Sequence, residues 1–437
     1  MKFAILIALS TIGILYGSDT AIDVRSAGIV ADGVHDDTAA LNALFRSVPD
    51  FSEIDFPAGA KVRITGTLII AGKNGLKLIG RSGIGNSAAP LTTAPQLLWS
   101  GSDGGTMLGI DKSQGLIVEQ LAFFGKASCS QSGSQADIAI DVDQSSPNPG
   151  GITTDNLFRR LAVVMCDAQR PSFIGMRFSH KSLENVEHMR VEDSTFYCSG
   201  DGSAGVAIEV GPSANAKNYK LMRNGISNCQ YGIHLLGGSV EAGGNMFNTN
   251  QIDIYAPNYV DNLTVHDNVT ENSQQFLVAA GIWPIEVSNN KIATLNTPAG
   301  HGMIEVTYAY LTAKGNKFDQ SLSGPAFQGH SGAGLMSLGN EYPANSYAST
   351  GWSTFESGVV TLQDKMIDPA TNAARPTGIA MSGATNFVPV PMAGVGIIYY
   401  DAATRKFKVS EDGNAFVDLV PLTATSISSN PSISRPR

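Results

Sequence analysis

Short runs of alternating apolar and polar residues recur through the middle of the chain, and each run turns at a small polar residue, most often asparagine. One example is Ile285-x-Val287-x-x-Asn290-x-Ile292. From Asn245 onward the asparagines return every 22–26 residues. Alternation with a period of two predicts strands with one inward face, and the regular return predicts a stacked coil. The runs with this pattern start at Met189, Tyr219, Val240, Leu263, Ile285, Leu311 and Leu335.

A further short strand is predicted ahead of these runs. Its inward residues are Ile, Val and Leu, which suit a narrow parallel core. The recurring asparagines are interpreted as structural, because their side chains can bond to the backbone at a bend and to one another along the stack. Weaker repeats at residues 116–123 and 173–178 extend the coil upstream. The clearest of these further strands are Val206-Ala207-Ile208, Ile233-His234-Leu235, Ile252-Asp253-Ile254 and Ile304-Glu305-Val306.

The start of the chain has a different pattern, with the motif Asp32-Gly33-x-x-Asp36-Asp37-Thr38 before a helical stretch. Asp36 or Asp37 can cap a helix over residues 37–46, whose Leu41, Leu44 and Phe45 fall on one face. The open end of a coil exposes apolar core and unpaired strand edges. We therefore expect this helix to cover the first coil.

This opening motif, followed by Phe56-Pro57-Ala58-Gly59, resembles the start of proteins of the pectate lyase superfamily. That group includes polygalacturonase-like and rhamnogalacturonase-like enzymes and phage tailspike depolymerases. The resemblance implies an all-β fold, a single right-handed parallel β-helix (a solenoid), here over residues 21–345. In the family the motif is structural, so it indicates the fold and leaves the chemistry open.

The two ends of the chain are predicted to lie outside the coil. Met1-Lys2-Phe3 and the apolar residues 4–16 indicate a signal peptide over residues 1–20, because a membrane anchor needs roughly 20 apolar residues. We expect a secreted protein, extracellular, periplasmic or on the cell surface, with no membrane contact after cleavage. Residues 346–390 are interpreted as a Gly/Ser/Thr/Pro-rich linker with terminal strands, 391–422 as a small β-meander, and 423–437 as a disordered tail.

Composition excludes some functions. The chain is 43% hydrophobic and 15% charged, which argues against a disordered protein. Its formal net charge of −9 argues against nucleic acid or an anionic membrane as partner. The residues indicate no metal site and assign no cofactor or oligomeric state.

The four cysteines can pair in three ways or remain free thiols. Cys198 and Cys229 each follow the bend of their coil by four or five residues. They should therefore stack on adjacent coils and form a disulfide. Pairing of Cys129 with Cys166 is the weaker corollary, and the absence of a C-x-x-C motif argues against zinc.

One set of polar residues occupies outward positions of the strand ahead of the bend: Glu209, His234, Asp253 and Glu305. We expect His234 and Asp253 to be catalytic on neighbouring coils, with Glu209 and Glu305 binding substrate. A histidine beside a carboxylate titrates near working pH and suits acid–base chemistry. The alternative is an ordinary solvated strand face.

Further candidates are basic. Residues 151–225 carry nine Lys or Arg against eight Asp or Glu, a locally basic region in an acidic protein. Arg190, Lys220 and Arg223 are therefore expected to bind an anionic substrate. Asp201, in Cys198-Ser-Gly-Asp201-Gly202, is a competing catalytic candidate, since it resembles the Gly-Asp-Asp segment of polygalacturonase-like hydrolases. Gly202 replaces the second Asp, which favours a plain turn for this loop.

The predicted function is that of a secreted polysaccharide-degrading enzyme, a lyase or glycoside hydrolase, with an extended, uronate-containing glycan in a groove along the coil. The alternative is a non-catalytic β-helix: a surface adhesin, a carbohydrate binder or a tailspike-like attachment protein. Outward acidic residues favour the enzyme. The incomplete polygalacturonase motifs and the C-terminal meander favour the alternative.

Overall fold

The computed structural model describes most of the chain between residues 21 and 343, and strand segments beyond it. The described ranges are 21–82, 93–126, 133–144, 152–165, 173–179, 185–198, 202–212, 216–258, 260–282, 284–293, 297–319, 325–330 and 332–343, followed by 353–355, 359–362, 365–368, 373–376, 381–382, 397–401, 406–410, 415 and 417–418. The predicted signal peptide and C-terminal tail lie outside these residues.

The chain winds through three long sheets, one strand of each per coil, and nearly all strands pair in parallel. Sheet A contains Ile22–Asp23, Glu53–Phe56, Lys77–Gly80, Ile117–Glu119, Leu157–Arg159, Arg190–Glu192, Tyr219–Met222, Ser239–Gly243, Asn262–His266, Ile285–Ser288, Tyr310–Lys314, Gly334–Leu338, Val359–Leu362 and Met381–Ser382. Sheet B contains Asp32–Asp36, Lys61–Ile64, Gln96–Trp99, Ala122–Phe124, Ala162–Val164, Thr195–Tyr197, Gly225–Ser227, Met246–Asn248, Val269–Glu271, Lys291–Ala293, Lys317–Phe318, Glu341–Pro343, Lys365–Asp368 and Ala373–Pro376. Sheet C contains Leu68–Ala71, Thr106–Asp111, Ile138–Asp143, Ile174–Phe178, Val206–Val210, Tyr231–Leu235, Ile252–Ala256, Gln275–Ala280, Ile304–Thr307, Phe327–Gly329 and Ser353–Phe355.

This architecture is the predicted right-handed parallel β-helix. In its core, apolar residues of one coil stack on apolar residues of the next. Ile233 lies beside Ile254, and Leu221 beside Ala242, both pairs fully buried. Outward residues stack in the same way, at the ~4.8 Å separation of neighbouring strands. Residues about one repeat apart in sequence therefore become direct neighbours.

The asparagines form the predicted internal ladder at the bend between sheets A and B. Asn245 donates its backbone N–H to Asn268 Oδ1 at 2.8 Å and its Nδ2 to the same oxygen at 3.0 Å. Asn245 Nδ2 also donates a hydrogen bond to Leu221 O at 2.9 Å. The ladder thus satisfies buried backbone groups that the bend leaves without strand partners. It runs without a break through Asn224, Asn245, Asn268, Asn290, Asn316 and Asn340.

The predicted capping helix spans Thr38–Ser47 and covers the first coil. Asn42 accepts from Ile69 N and donates to Thr67 O, at 2.8 and 2.9 Å, so its amide satisfies the otherwise free edge of sheet C. Asp36 accepts from Thr38 N at the helix start. Asp37 accepts from two backbone N–H groups of the preceding loop, at 2.9 and 3.0 Å. The acidic motif is structural, as expected. A 3-10 helix, Val24–Ala27, precedes it.

Two smaller sheets complete the described structure. Thr153–Thr154 pairs in parallel with Val186–Glu187. Ile397–Asp401, Lys406–Ser410 and Val417–Asp418 form an antiparallel sheet in the segment predicted as a meander. Between residues 353 and 368 each long sheet gains one more parallel strand, and the last strands of sheets A and B are antiparallel. No helix in the described ranges is long and apolar enough to cross a membrane.

The predicted disulfide between Cys198 and Cys229 is present, and it joins two neighbouring coils. Both residues follow strands of sheet B, and their Cα atoms lie 5.0 Å apart. Cys129 and Cys166 lie outside the described residues.

Candidate functional site

One continuous row of outward side chains crosses the middle of sheet C, one residue per coil. Strand register places Asp141 beside Arg177, Arg177 beside Glu209, and Glu209 beside His234, which is followed by Tyr255. The inward neighbours in each strand are apolar and buried, so these five residues project from one face. We call them the sheet C row. The row contains a cation, two carboxylates, an imidazole and a phenol within five consecutive coils.

Arg177 and Asp141 form a two-point ion pair near one end of the row. Arg177 Nε and Nη2 donate to the two carboxylate oxygens at 3.0 and 2.9 Å. Burial lowers the pKa of Arg177, but hydrogen bonds to Asp141 and the charges of Asp141, Glu209 and Asp143 outweigh it and raise that pKa. The guanidinium is therefore a fixed cation. Its Nη1 has no partner among the described residues.

Glu209 and His234 form the acid–base pair of the row. His234 Nδ1 lies 3.0 Å from Glu209 Oε2, and each side chain is only 15% exposed. A carboxylate on Nδ1 favours the tautomer that carries its proton there, and leaves Nε2 able to accept or donate a proton. Within the described ranges Nε2 has no hydrogen-bond partner. This geometry suits proton transfer to or from a bound ligand.

Three aromatic rings stack at the same place. Tyr231 and Tyr255 lie face to face with ring centres 4.4 Å apart, and Tyr255 stacks on His234 at 5.4 Å with an interplanar angle of 17°. Burial and the neighbouring Tyr255 raise the pKa of Tyr231, so its phenol stays protonated. Flat rings beside an acid–base pair provide an apolar surface with polar edges, which is suited to an amphipathic ligand such as a sugar ring.

Asp253 does not join this row, so the prediction that it faces outward beside His234 is wrong. The register pairs His234 with Tyr255, and Asp253 is fully buried. Its Oδ1 accepts from Asn250 Nδ2 at 2.9 Å, and its Oδ2 bonds to Thr270 Oγ1. Burial raises the pKa of Asp253 to about 7, although these hydrogen bonds and one to Ser273 lower it.

The alternation fails at Asp253 because sheet C strands begin at a corner of the coil. There, two successive residues both point inward, as Asp253 and Ile254 do. Other coils place small or apolar residues at this corner position, such as Ala207, Gly232 and Phe276, all buried. An acid in this position is enclosed by the core and is inaccessible to substrate.

Glu305 lies on the same face as the sheet C row, three coils beyond His234. The register runs from Tyr255 through Val278 to Glu305. Its carboxylate accepts from His301 Nδ1 at 2.8 Å, His330 Nε2 at 2.9 Å and Gln275 Nε2 at 3.1 Å. Glu305 is thus held by three donors and lies away from the acid–base pair.

No cluster suited to hold a metal ion occurs among the residues described.

The predicted basic residues lie on other faces. Arg190 and Lys220 are neighbours on the outer side of sheet A, and Arg223 follows them at the bend toward sheet B. None of these cations belongs to the sheet C row, and their binding of an anionic substrate stays a prediction. Asp201 lies outside the described residues.

The sequence prediction missed Asp141, Arg177 and Tyr231 as members of this site. The signal was present for two of them, since Asp141 and Arg177 each lie between buried apolar residues in the sequences Ile140-Asp141-Val142 and Met176-Arg177-Phe178. Connecting them to Glu209 required the register of coils whose loops differ in length.

Comparisons with known proteins show a similarity of fold and no similarity of sequence. No family model matches the chain, and no curated protein matches it in sequence. Similar solved structures include a surface adhesin of Streptococcus pneumoniae (12% identity, 92% of this chain and 99% of that chain, TM-score 0.46). Others are the A-module of a mannuronan C-5 epimerase of Azotobacter vinelandii (14%, 73% and 88%, 0.46) and the catalytic unit of a GH87 α-1,3-glucanase of Streptomyces thermodiastaticus (13%, 82% and 71%, 0.49).

The three parallel sheets, the asparagine ladder and the helical cap settle the architecture. The chain has the fold of a right-handed parallel β-helix. A fold by itself does not determine an activity. The function of this chain must therefore be argued from its own side chains.

Proposed function

We propose that this protein is a carbohydrate-active enzyme that cleaves an extended, uronate-containing polysaccharide lying along the sheet C row. The observation that carries the proposal is the Glu209–His234 pair beside the stacked rings of Tyr231 and Tyr255. The Nε2 atom of His234 has no hydrogen-bond partner among the described residues. A row with one side chain every ~4.8 Å runs parallel to the coil axis, so it suits a ligand that is itself long and repetitive.

The chemistry that this set supports best is β-elimination at a uronate. His234 Nε2 removes the proton on C5, the C5–H electron pair forms the C4=C5 double bond, and the C4–O bond breaks. Glu209 holds Nδ1–H and stabilises the imidazolium that forms. The Tyr255 phenol, stacked on His234, is placed to return a proton to the departing oxygen. The charge of Arg177 is balanced by Asp141, but its Nη1 group, which has no partner among the described residues, can donate a hydrogen bond to the uronate carboxylate.

The experiment is an incubation of the exported protein with soluble polyuronates, following the ultraviolet absorbance of unsaturated uronate ends. We expect wild-type activity and a loss of roughly 10²–10⁴-fold in His234→Ala, the range for removal of an acid or base. His266→Ala is the matched control, since His266 Nε2 contacts Glu241 at 3.2 Å on sheet A. Equal losses in the two variants, or reducing ends without absorbance, would contradict the mechanism.

A second candidate is binding without cleavage, as in an adhesin. The Tyr231–Tyr255 stack favours it, because a flat aromatic surface holds a sugar ring without any chemistry. Retention of the protein on an immobilised polyuronate, lost in a Tyr231→Ala variant, with no product released by wild-type protein, would identify this function instead.

A further inference from the structure

A cleft opens on a different face of the coil, on the outer side of sheet B. It has a volume of about 540 Å³, within the range of about 300–1,000 Å³ that is typical of small-ligand sites. The cleft exists because Gly225 stands between Thr195 and Met246 in an outward row. The missing side chain exposes the floor, and Met246, 49% exposed, forms one wall.

The cleft has a rigid charged rim. Arg223 donates to Asp193 through Nε at 2.7 Å and Nη2 at 3.1 Å, and Nη2 also contacts Glu192 at 3.3 Å. Glu192 also forms an ion pair with Arg190. The charges of these two arginines and two carboxylates therefore sum to zero. The Arg223 Nη1 group has no partner in the part of the chain that the structure describes. The rim therefore offers free N–H donors beside carboxylate oxygens, with no net charge.

The remaining lining is polar and held in place. Thr195, Ser227 and Asn248 present hydroxyl and amide groups to the cleft. The Cys198–Cys229 disulfide joins the two coils that carry Thr195 and Gly225, so two walls of the cleft are covalently connected before any ligand arrives. A preformed site of this kind loses less conformational entropy on binding.

We infer that this cleft is a second saccharide-binding site, specific for a neutral glycan. Adjacent donors and acceptors match vicinal hydroxyl groups, and Met246 offers an apolar contact for the carbon face of a sugar ring. The balanced rim gives no preference for a uronate. A peptide strand would need free backbone donors and acceptors, and those of sheet B are paired with neighbouring coils. The site is separate from the sheet C row and does not depend on cleavage there.

The test fills the cleft without disturbing the coil. A Cβ at Gly225 would meet only Thr195 Oγ1, at 3.9 Å, and its backbone is not left-handed, so Gly225→Leu should fold normally. Arg223→Asn removes the rim cation while keeping a residue that tolerates the φ of 57° found there. Ala293→Leu is the control, since it places the same leucine side chain on the outer side of sheet B, outside the cleft.

Binding is measured by affinity electrophoresis of the whole protein in gels containing dextran, a soluble β-glucan, a galactan or polygalacturonate. We expect at least one neutral glycan to retard the wild-type protein, Ala293→Leu and His234→Ala equally. Gly225→Leu and Arg223→Asn should weaken that retardation at least tenfold. The inference would be overturned if only polygalacturonate retarded the protein, or if no neutral glycan did. It would also be overturned if Gly225→Leu were retarded as strongly as the wild-type protein. The His234→Ala variant lacks the proposed cleavage, so its retardation reports binding in the cleft alone. The two proposals can therefore fail separately.

Discussion

Glu209 Oε2 and His234 Nδ1 lie 3.0 Å apart, although 25 residues separate them in sequence. The contact exists because parallel register places the two residues on adjacent coils. Groups that act as one catalytic unit show non-additive losses when they are removed. We expect the double variant Glu209→Gln/His234→Ala to be no slower than His234→Ala alone. Steady-state kcat/KM values of Glu209→Gln, His234→Ala and the double variant measure this. If the losses of the two single variants multiply in the double variant, Glu209 acts separately.

Tyr255 combines a stacking ring with a hydroxyl, and two substitutions separate these parts. Tyr255→Phe keeps the ring on His234 and removes the proton donor, so we expect kcat to fall with KM little changed. Tyr255→Leu removes the stack as well, so KM should also rise. Initial rates over a range of substrate concentrations distinguish the two effects. If Tyr255→Phe kept full kcat, the leaving oxygen must obtain its proton elsewhere.

The buried Asp253 predicts a specific dependence of stability on pH. Its folded pKa of about 7 exceeds the usual value of 3.8, so the folded chain holds a proton that the unfolded chain releases between these values. The contribution of this group to the free energy of unfolding is therefore complete at acidic pH and is lost as pH rises from about 4 through 7. The loss amounts to about 4 kcal/mol.

Asp253→Asn provides the comparison, because an uncharged amide keeps hydrogen-bonding capacity toward Asn250 and Thr270. The free energy of unfolding of wild type minus that of Asp253→Asn should decrease across this pH window, as measured by urea denaturation at several pH values. Taking the difference cancels the other carboxylates, some of which have lowered pKa values and act in the opposite direction, Asp32 among them. A constant difference would show that Asp253 does not titrate.

Asn268 stands in the middle of the asparagine ladder. Its side chain accepts from Asn245 N and Nδ2 at 2.8 and 3.0 Å and donates to Ala242 O at 3.0 Å. Asn268→Ala leaves these buried groups without partners, at about 1–3 kcal/mol each. We expect a loss of more than about 2 kcal/mol in chemical denaturation. The exposed Asn262→Ala should change stability by less than about 0.5 kcal/mol. Similar values for both would mean that the ladder does not stabilise the fold.

The sequence by itself determined the coil and the features that repeat with it. The two-residue alternation of side chains follows from strand geometry, so the inward Ile, Val and Leu residues and the bend asparagines could be identified before any contact was known. The capping helix and the Cys198–Cys229 disulfide were predictable for the same reason, since each depends on local pattern or on position within one repeat.

Only the tertiary structure decided which outward residues share a face. Loops of unequal length separate the coils, so the pairing of Arg177 with Glu209 and of His234 with Tyr255 depends on strand register that no single repeat contains. Asp253 shows the limit most clearly, because a corner of the coil turns two successive residues inward and places an acid in the core. Alternation describes the interior of a strand, and the packing of three sheets around one core determines what happens at its ends.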